Sequence, residues 1–383
     1  MARFRKPLVF LFACLSLLSG CDRSTDPGRE NLPPAIASAS TAYASGGIAF
    51  SYRVVANDPD NSNLTIIFTY VPAWAAVEAD SVYGLPTHNS KDDSIKVVVS
   101  DGQLADSAVV QVRMVPPLVV YGDSRTGHDA HRRVVAQILN VYPTVVFHSG
   151  DLVGTGTLPS DWDTFNEITA EMRNRAEFFP ALGNHELQAQ LYFDNFELPG
   201  NEQWYSVVRN RAHFIILNSC VDISPGSVQY QWLVDDLSSI ADSIWFTAVV
   251  FHHPPYSTGA HAEDELDLRN ILVPLFEEYG VDIVFNGHDH DYERSYCGDI
   301  YYIVTGGGGA PLRGQARDHP CSQLFLQQYH FCKVSVLPER IFISVINDLG
   351  EVIDEFTLPV QPRYRHRSGP SAQHGANRQP MHH

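Results

Sequence analysis

The sequence predicts two folded units: a small all-β sandwich over residues 35–116 and an α/β domain over residues 117–360. Three observations carry this. The first unit holds short alternating or β-branched runs broken by turn residues, with almost no helical periodicity. From Leu118 onward, apolar strands alternate with amphipathic helices. Between the two lies Pro116-Pro117, a backbone pair that neither strand nor helix tolerates well.

With 383 residues, 44% hydrophobic and 18% charged, the chain has material for two domains and a sizeable core. Its net charge of −18 argues against nucleic acid as a partner, since that binding needs basic surface to neutralise phosphates. Residues 1–20 read as an export signal: Arg3, Arg5 and Lys6 lead into the apolar run Leu8–Leu18, which is too short for a comfortable membrane span. The run ends in Leu18-Ser19-Gly20-Cys21, which resembles the bacterial lipoprotein box. That resemblance implies a lipid on Cys21 and a protein exported and anchored at the cell envelope. Residues 21–34 are polar and rich in turn formers, a tether.

In the first unit the runs Ile48–Val54, Leu64–Phe68, Ile95–Val99 and Val109–Val112 are the expected strands, and Trp74 is expected in their core. Ala56-Asn57-Asp58-Pro59-Asp60 and Val98-Val99-Ser100-Asp101-Gly102 resemble the cadherin-like or Ig-like repeats of bacterial surface proteins, and such a domain would offer a surface for a glycan or protein. Asp58, Asp60 and Asp101 suit either hard Ca²⁺ ligation or simple turns at strand ends.

In the second unit the strand Leu118–Tyr121 precedes a helix over Asp129–Asn140. Strands Thr144–Phe147 and Phe178–Leu182 flank a helix over Trp162–Arg175. Strands His213–Leu217 and Ile244–Phe251 flank a helix over Tyr230–Ile240. A helix over Leu266–Tyr279 leads into the buried strand Val281–Phe285, and the runs from Tyr301 to Phe356 form a meander. Residues 361–383 are polar and basic, with too little apolar surface to order themselves. Four cysteines follow Cys21, and a bridge from Cys297 to either Cys321 or Cys332 is expected in an exported protein.

Five strands end in polar blocks: Gly122-Asp123-Ser124-Arg125, His148-Ser149-Gly150-Asp151, Gly183-Asn184-His185-Glu186, His252-His253-Pro254-Pro255-Tyr256 and Gly287-His288-Asp289-His290. One Asp or His after a strand is ordinarily a cap or a turn residue. Five such blocks at one sheet edge, where ligands of α/β sheets collect, point to metal. Their mixture of carboxylate, amide carbonyl and imidazole suits Fe, Mn or Zn.

This series resembles the calcineurin-like metallophosphoesterases, and its last two blocks resemble the purple acid phosphatase branch in particular. The resemblance implies a four-layer α/β/β/α sandwich with two metal ions. Asp151 would bridge them, Asp123 and His290 would hold the first, and Asn184, His252 and His288 the second. It implies hydrolysis of a small phosphoric ester, a monoester first, by metal-bound hydroxide attacking phosphorus in line. His185 is the candidate to protonate the leaving group. Arg125 would fork to a phosphate oxygen or pair with Asp291 or Glu293. His253 would touch substrate or support the ligands. Phosphodiesters, or a binding lipoprotein with feeble catalysis, are the rival readings. The chain departs from the pattern twice. Arg125 stands where many relatives have His, and Gly154 stands where purple acid phosphatases have their colour-giving Tyr. His128 is a nearby side chain that could complete the first site.

Overall fold

In the computed structural model, residues 30–60, 63–261 and 263–360 are described. The expected signal, the lipidated Cys21, most of the tether and the basic tail lie outside these residues.

The first unit is built from β1 (Ala35–Ile36), β2 (Thr41–Ala44), β3 (Phe50–Arg53), β4 (Ala56–Asn57), β5 (Thr65–Tyr70), β6 (Ala75–Glu78), β7 (Ser81–Gly84), β8 (Asp93–Ser100) and β9 (Ala105–Met114). One sheet runs β2-β9-β8-β5, a second β3-β7-β6, and β1 pairs with β4. Alternate residues of both larger sheets (Ala42, Phe50, Tyr52, Val82, Val97, Val110) close on one core, the period-two pattern read from the sequence. Trp74 packs edge-on against Phe50. The aspartates do what turn residues do. Asp58 Oδ1 accepts from Asp60 N (2.7 Å), and Asp101 Oδ1 accepts from the backbone N of Gln103 and Leu104.

The second unit contains β10 (Leu118–Tyr121), α1 (His128–Asn140), β11 (Val145–His148), α2 (Pro159–Arg175), β12 (Glu177–Pro180), α3 (Gln190–Asn195), β13 (Tyr205–Arg209), β14 (Ala212–Ile216), α4 (Val228–Ser239), β15 (Phe246–Val250), α5 (Leu268–Tyr279), β16 (Ile283–Asn286), β17 (Tyr292–Cys297), β18 (Ile300–Thr305), β19 (Ser322–Leu326), β20 (His330–Leu337), β21 (Arg340–Asn347) and β22 (Val352–Pro359). One sheet runs β12-β11-β10-β20-β21-β22, the other β13-β14-β15-β16-β18-β17-β19.

Strand pleating sorts the side chains into layers. Leu118 and Val120 of β10 enter a core shared with Phe214, Val250 and Phe285 of the other sheet. Val119 and Tyr121 point the opposite way, toward Val134 and Ile138 of α1 and Met172 of α2. On the far face Ile215 and Val249 meet Leu233 of α4 and Phe276 of α5. The result is the α/β/β/α sandwich. In this unit the short helix α3 and three strands escaped the sequence reading. β13 and β19 lie at sheet edges, and β17 begins inside the stretch read as a loop. There Tyr292 and Arg294 reach across to Asp354 of β22 (2.6 and 2.7 Å), joining the two sheets. Of the two bridges left open, Cys297–Cys321 is the one formed. Cys332 is buried in β20 as a free thiol.

The two units touch through β20. Lys333 Nζ, nearly sequestered from water, donates to the carbonyl of Gly46 at 2.9 Å, and the hydroxyls of Ser45 and Ser335 lie 3.1 Å apart.

Candidate metal centre

Parallel register brings the polar blocks level. Tyr121 pairs with His148 and His148 with Pro180, so β10, β11 and β12 end side by side. In the other sheet Val250 pairs with Phe285, so β15 and β16 do the same. The chain must turn sharply there to aim side chains back over the sheet edge. Asp123, Asp151 and His288 do so with φ of 56°, 58° and 71°, a left-handed backbone that costs non-glycine residues energy and concentrates at functional sites. Glycines make room. A Cβ on Gly183 would stand 2.3 Å from Asp151 Oδ1, and one on Gly287 would stand 2.3 Å from Asp123 Oδ2. The Gly306–Gly309 loop passes close by; a Cβ on Gly306 would lie 2.9 Å from Asp123 Oδ2.

Asp123, Asp151, Asn184, His252, His288 and His290 converge on this edge. Around one point the atoms are close-set. His252 Nε2 lies 3.0 Å from Asn184 Oδ1 and 3.4 Å from Asp151 Oδ1. His288 Nδ1 lies 3.2 Å from Asn184 Oδ1 and 3.3 Å from His252 Nε2. Donors about 2.1 Å from a common ion are roughly 3.0–3.4 Å apart along the edges of an octahedron or tetrahedron, and the four separations above fall in that range, a donor set of the kind that suits a cation such as Zn. The electrostatics agree. Burial holds His252 well below its usual range, with His253 adding to the effect, and burial pushes His288 down to about 2. Both imidazoles are therefore neutral, with lone pairs available. His252 Nδ1 donates to Ser149 O (3.0 Å), leaving Nε2 as the free acceptor. Burial, and then the charge of Asp151, pushes the Asp123 carboxyl far up, as expected of carboxylates crowded without a cation.

The second cluster is looser. His290 Nε2 is 3.6 Å from Asp123 Oδ1, and its Nδ1 donates to Pro311 O at 2.8 Å. Arg125 enters here, with Nε 3.0 Å from Asp151 Oδ2 and Nη2 3.2 Å from His290 Nε2. Its partner is thus Asp151, in place of the Asp291 or Glu293 pairing weighed from the sequence; Glu293 instead accepts from Thr258 N. His128 makes no contact with the cluster that would mark it as a ligand. It stands exposed on the first turn of α1 and belongs to none of the tight groups of potential ligands among the described residues.

His185 sits at the mouth, its side chain 30% exposed, with Nδ1 donating to Gly154 O (2.6 Å) and Nε2 3.8 Å from Asp151 Oδ2. His253 is buried behind His288, its Nδ1 2.9 Å from Ser219 Oγ.

Three contributors had been given no role. Glu186 is buried and accepts from the backbone N of Asp151, Gly183, Leu152 and Val153. Burial and Asp151 push its carboxyl up to about 8, yet all four contacts are N–H donors, which match a carboxylate. Its place in the Gly183-Asn184-His185-Glu186 block was the available signal. His261 stacks on His288 with ring centroids 3.8 Å apart, and Glu265 Oε1 lies 2.8 Å from His288 Nε2. Both come from the loop between β15 and α5, where no periodicity marks them.

Residues 116–292 match the family model described as calcineurin-like phosphoesterase. Purple acid phosphatase 15 of Arabidopsis thaliana is 30% identical over 171 residues, 38% of this chain and 32% of that protein. Purple acid phosphatase 13 of the same plant is 31% identical over 230 residues, 53% of this chain and 40% of that protein. The chain spans less than half the length of these curated relatives. Among solved structures, purple acid phosphatase PPD1 from yellow lupin (Lupinus luteus) seeds superposes with a TM-score of 0.58 at 18% identity, covering 81% of this chain and 69% of that one. The α/β domain has the metallophosphoesterase fold.

Proposed function

We propose that this calcineurin-like metallophosphoesterase, with its purple-acid-phosphatase-like relatives, is a metal-dependent hydrolase of small phosphoric esters, acting on monoesters first. The observation that carries the reading is the set of donor atoms from Asp151, Asn184, His252 and His288 at the ends of four strands, with His252 Nε2 3.0–3.4 Å from each of the other three and His288 Nδ1 3.2 Å from Asn184 Oδ1. A Fe, Mn or Zn ion held there supplies a Lewis acid for the phosphoryl group and lowers the pKa of water toward about 7. Asn184 offers a neutral carbonyl, which adds no negative charge against an incoming phosphate. Asp123, Asp151 and His290 frame a second cationic position beside it.

The remaining roles belong to the chain's own side chains. A guanidinium carries five N–H donors, so Arg125 can hold Asp151 and His290 and still present a fork to a phosphoryl oxygen. The hydrogen bond from His185 Nδ1 to Gly154 O turns Nε2 toward the site, where a proton on it can pass to the leaving alkoxide. His253 supports the ring of His288. We also read the protein as lipid-anchored at the cell envelope through Cys21, with the β-sandwich facing a glycan or protein partner.

Turnover of an aryl phosphate by purified protein, abolished by chelator and restored by Mn²⁺ or Zn²⁺, tests the hydrolase reading. The same assay with a diester beside the monoester tests the substrate class. Absence of metal-dependent turnover on either would refute the proposal.

A further inference from the structure

We infer that the guanidinium of Arg125 takes the place of one of the two cations, so that the centre holds a single metal ion per chain. This rests on the reading that Asp151, Asn184, His252 and His288 bind a metal ion, and it specifies what occupies the position beside them.

Of the three side chains framing that position, two already accept a hydrogen bond from Arg125. Arg125 Nε donates to Asp151 Oδ2 at 3.0 Å, and Nη2 donates to His290 Nε2 at 3.2 Å. The second bond has a defined direction, because His290 Nδ1 spends its proton on Pro311 O and leaves Nε2 as the acceptor. A metal ion there would compete with the guanidinium for Asp151 Oδ2 and for the single lone pair of His290 Nε2. The arginine is well placed to stay, with its side chain 14% exposed and its partner Asp151 1% exposed. It cannot become a ligand itself, because guanidinium has no lone pair to give and does not deprotonate.

Two independent features agree. Next to His185, which hydrogen-bonds its carbonyl, stands Gly154, which has no side chain to offer as a ligand. A Cβ there would already stand 3.0 Å from Asp161 Oδ2. In addition, among the described residues the tight groups of potential ligands at this edge are His252/His253/His288 and Asp123/Asp151/His252, and His290 belongs to neither. The two buried carboxylates still need positive charge, and Arg125 supplies it permanently, whatever the metal supply. The site would keep a doubly cationic face for phosphate while requiring one ion.

Plasma mass spectrometry and electron paramagnetic resonance of Mn²⁺-loaded full-length protein test this. The expected result is one ion per chain, with the hyperfine pattern of an isolated Mn²⁺. Arg125→His, which removes the fixed charge and offers a ligand, should gain a second ion and the signal of a coupled pair. Arg125→Lys should stay at one, and His252→Ala should lose the ion. Circular dichroism melting confirms that each variant is folded. Two ions or a coupled spectrum in the unaltered protein overturn the inference, as does a folded Arg125→His that still holds one. A protein that binds one ion but hydrolyses no phosphoric ester overturns the proposed function and leaves this inference standing. A protein that binds no ion overturns both.

Discussion

Gly183→Ala is the sharpest test of how the backbone sets the ligand geometry. An alanine Cβ there would stand 2.3 Å from Asp151 Oδ1 and 2.4 Å from Asp151 N. Ordinary contact begins at 3.4 Å, so something must move by about 1 Å. The obstructing atoms are the carboxylate and backbone of a buried turn, and Glu186 pins that turn through the N–H groups of Asp151 and Gly183. No flexible side chain can absorb the clash. Overpacking of this kind costs about 1–3 kcal/mol, which in a domain of this size lowers Tm by roughly 2–12 °C. The effect on activity should be larger in proportion, because a displacement of about 1 Å at a catalytic centre costs on the order of 10²-fold in rate. Differential scanning calorimetry, Mn²⁺ titration and aryl phosphatase kinetics would read the three effects. A variant with unchanged Mn²⁺ affinity and rate would show that Asp151 is not held where the chemistry needs it, and the argument from strand-end geometry would fail.

Three further outcomes follow from particular contacts. Glu186→Gln keeps the shape but can accept from only one pair of the four N–H groups, so it should lose about 2–6 kcal/mol in a denaturant titration; equal stability would mean that the native carboxyl carries a proton. His330 is buried with its pKa lowered to about 4, first by desolvation, while Nδ1 donates to Gln328 O and Nε2 faces Thr305 Oγ1. The unfolded chain therefore binds the proton first, near pH 6.5. Stability is complete above that pH and is lost as pH falls toward 4, by roughly 3 kcal/mol for this group. His330→Asn should flatten that part of the acid melting profile, and an unchanged slope would contradict the assignment. Replacing Cys297 and Cys321 together by Ser opens a loop of 24 residues and should cost roughly 3 kcal/mol, read as a lower Tm that reducing agent no longer changes.

Much of the candidate centre was legible because the proposed metal ligation is local in its grammar. Each ligand sits directly after an apolar strand, and a glycine precedes several of them, since the turn must be tight. A reader of Gly122-Asp123 or Gly183-Asn184 therefore sees both the strand end and the ligand. The layers were legible for a similar reason, because pleating makes Leu118 and Val120 face one way and Val119 and Tyr121 the other. Glu186 was half-visible: its place in a ligand block was plain, but its partners are backbone amides brought together only by the turn at Asp151.

The linear chain by itself determined the two units, most of the strands and helices and their order, the donor atoms offered at each strand end, and the two departures at Arg125 and Gly154. These are decided by side-chain chemistry and short-range periodicity, which do not depend on what lies opposite. Tertiary structure alone decided three things. It returned β20 to the middle of the first sheet beside β10. It chose Cys321 over Cys332 for the bridge. It turned the guanidinium of Arg125 onto Asp151 and His290, rather than onto the nearby acidic residues of the last block. Each is a pairing between residues far apart in sequence, set by which surfaces pack, and a string of residues carries no local mark of its distant partner.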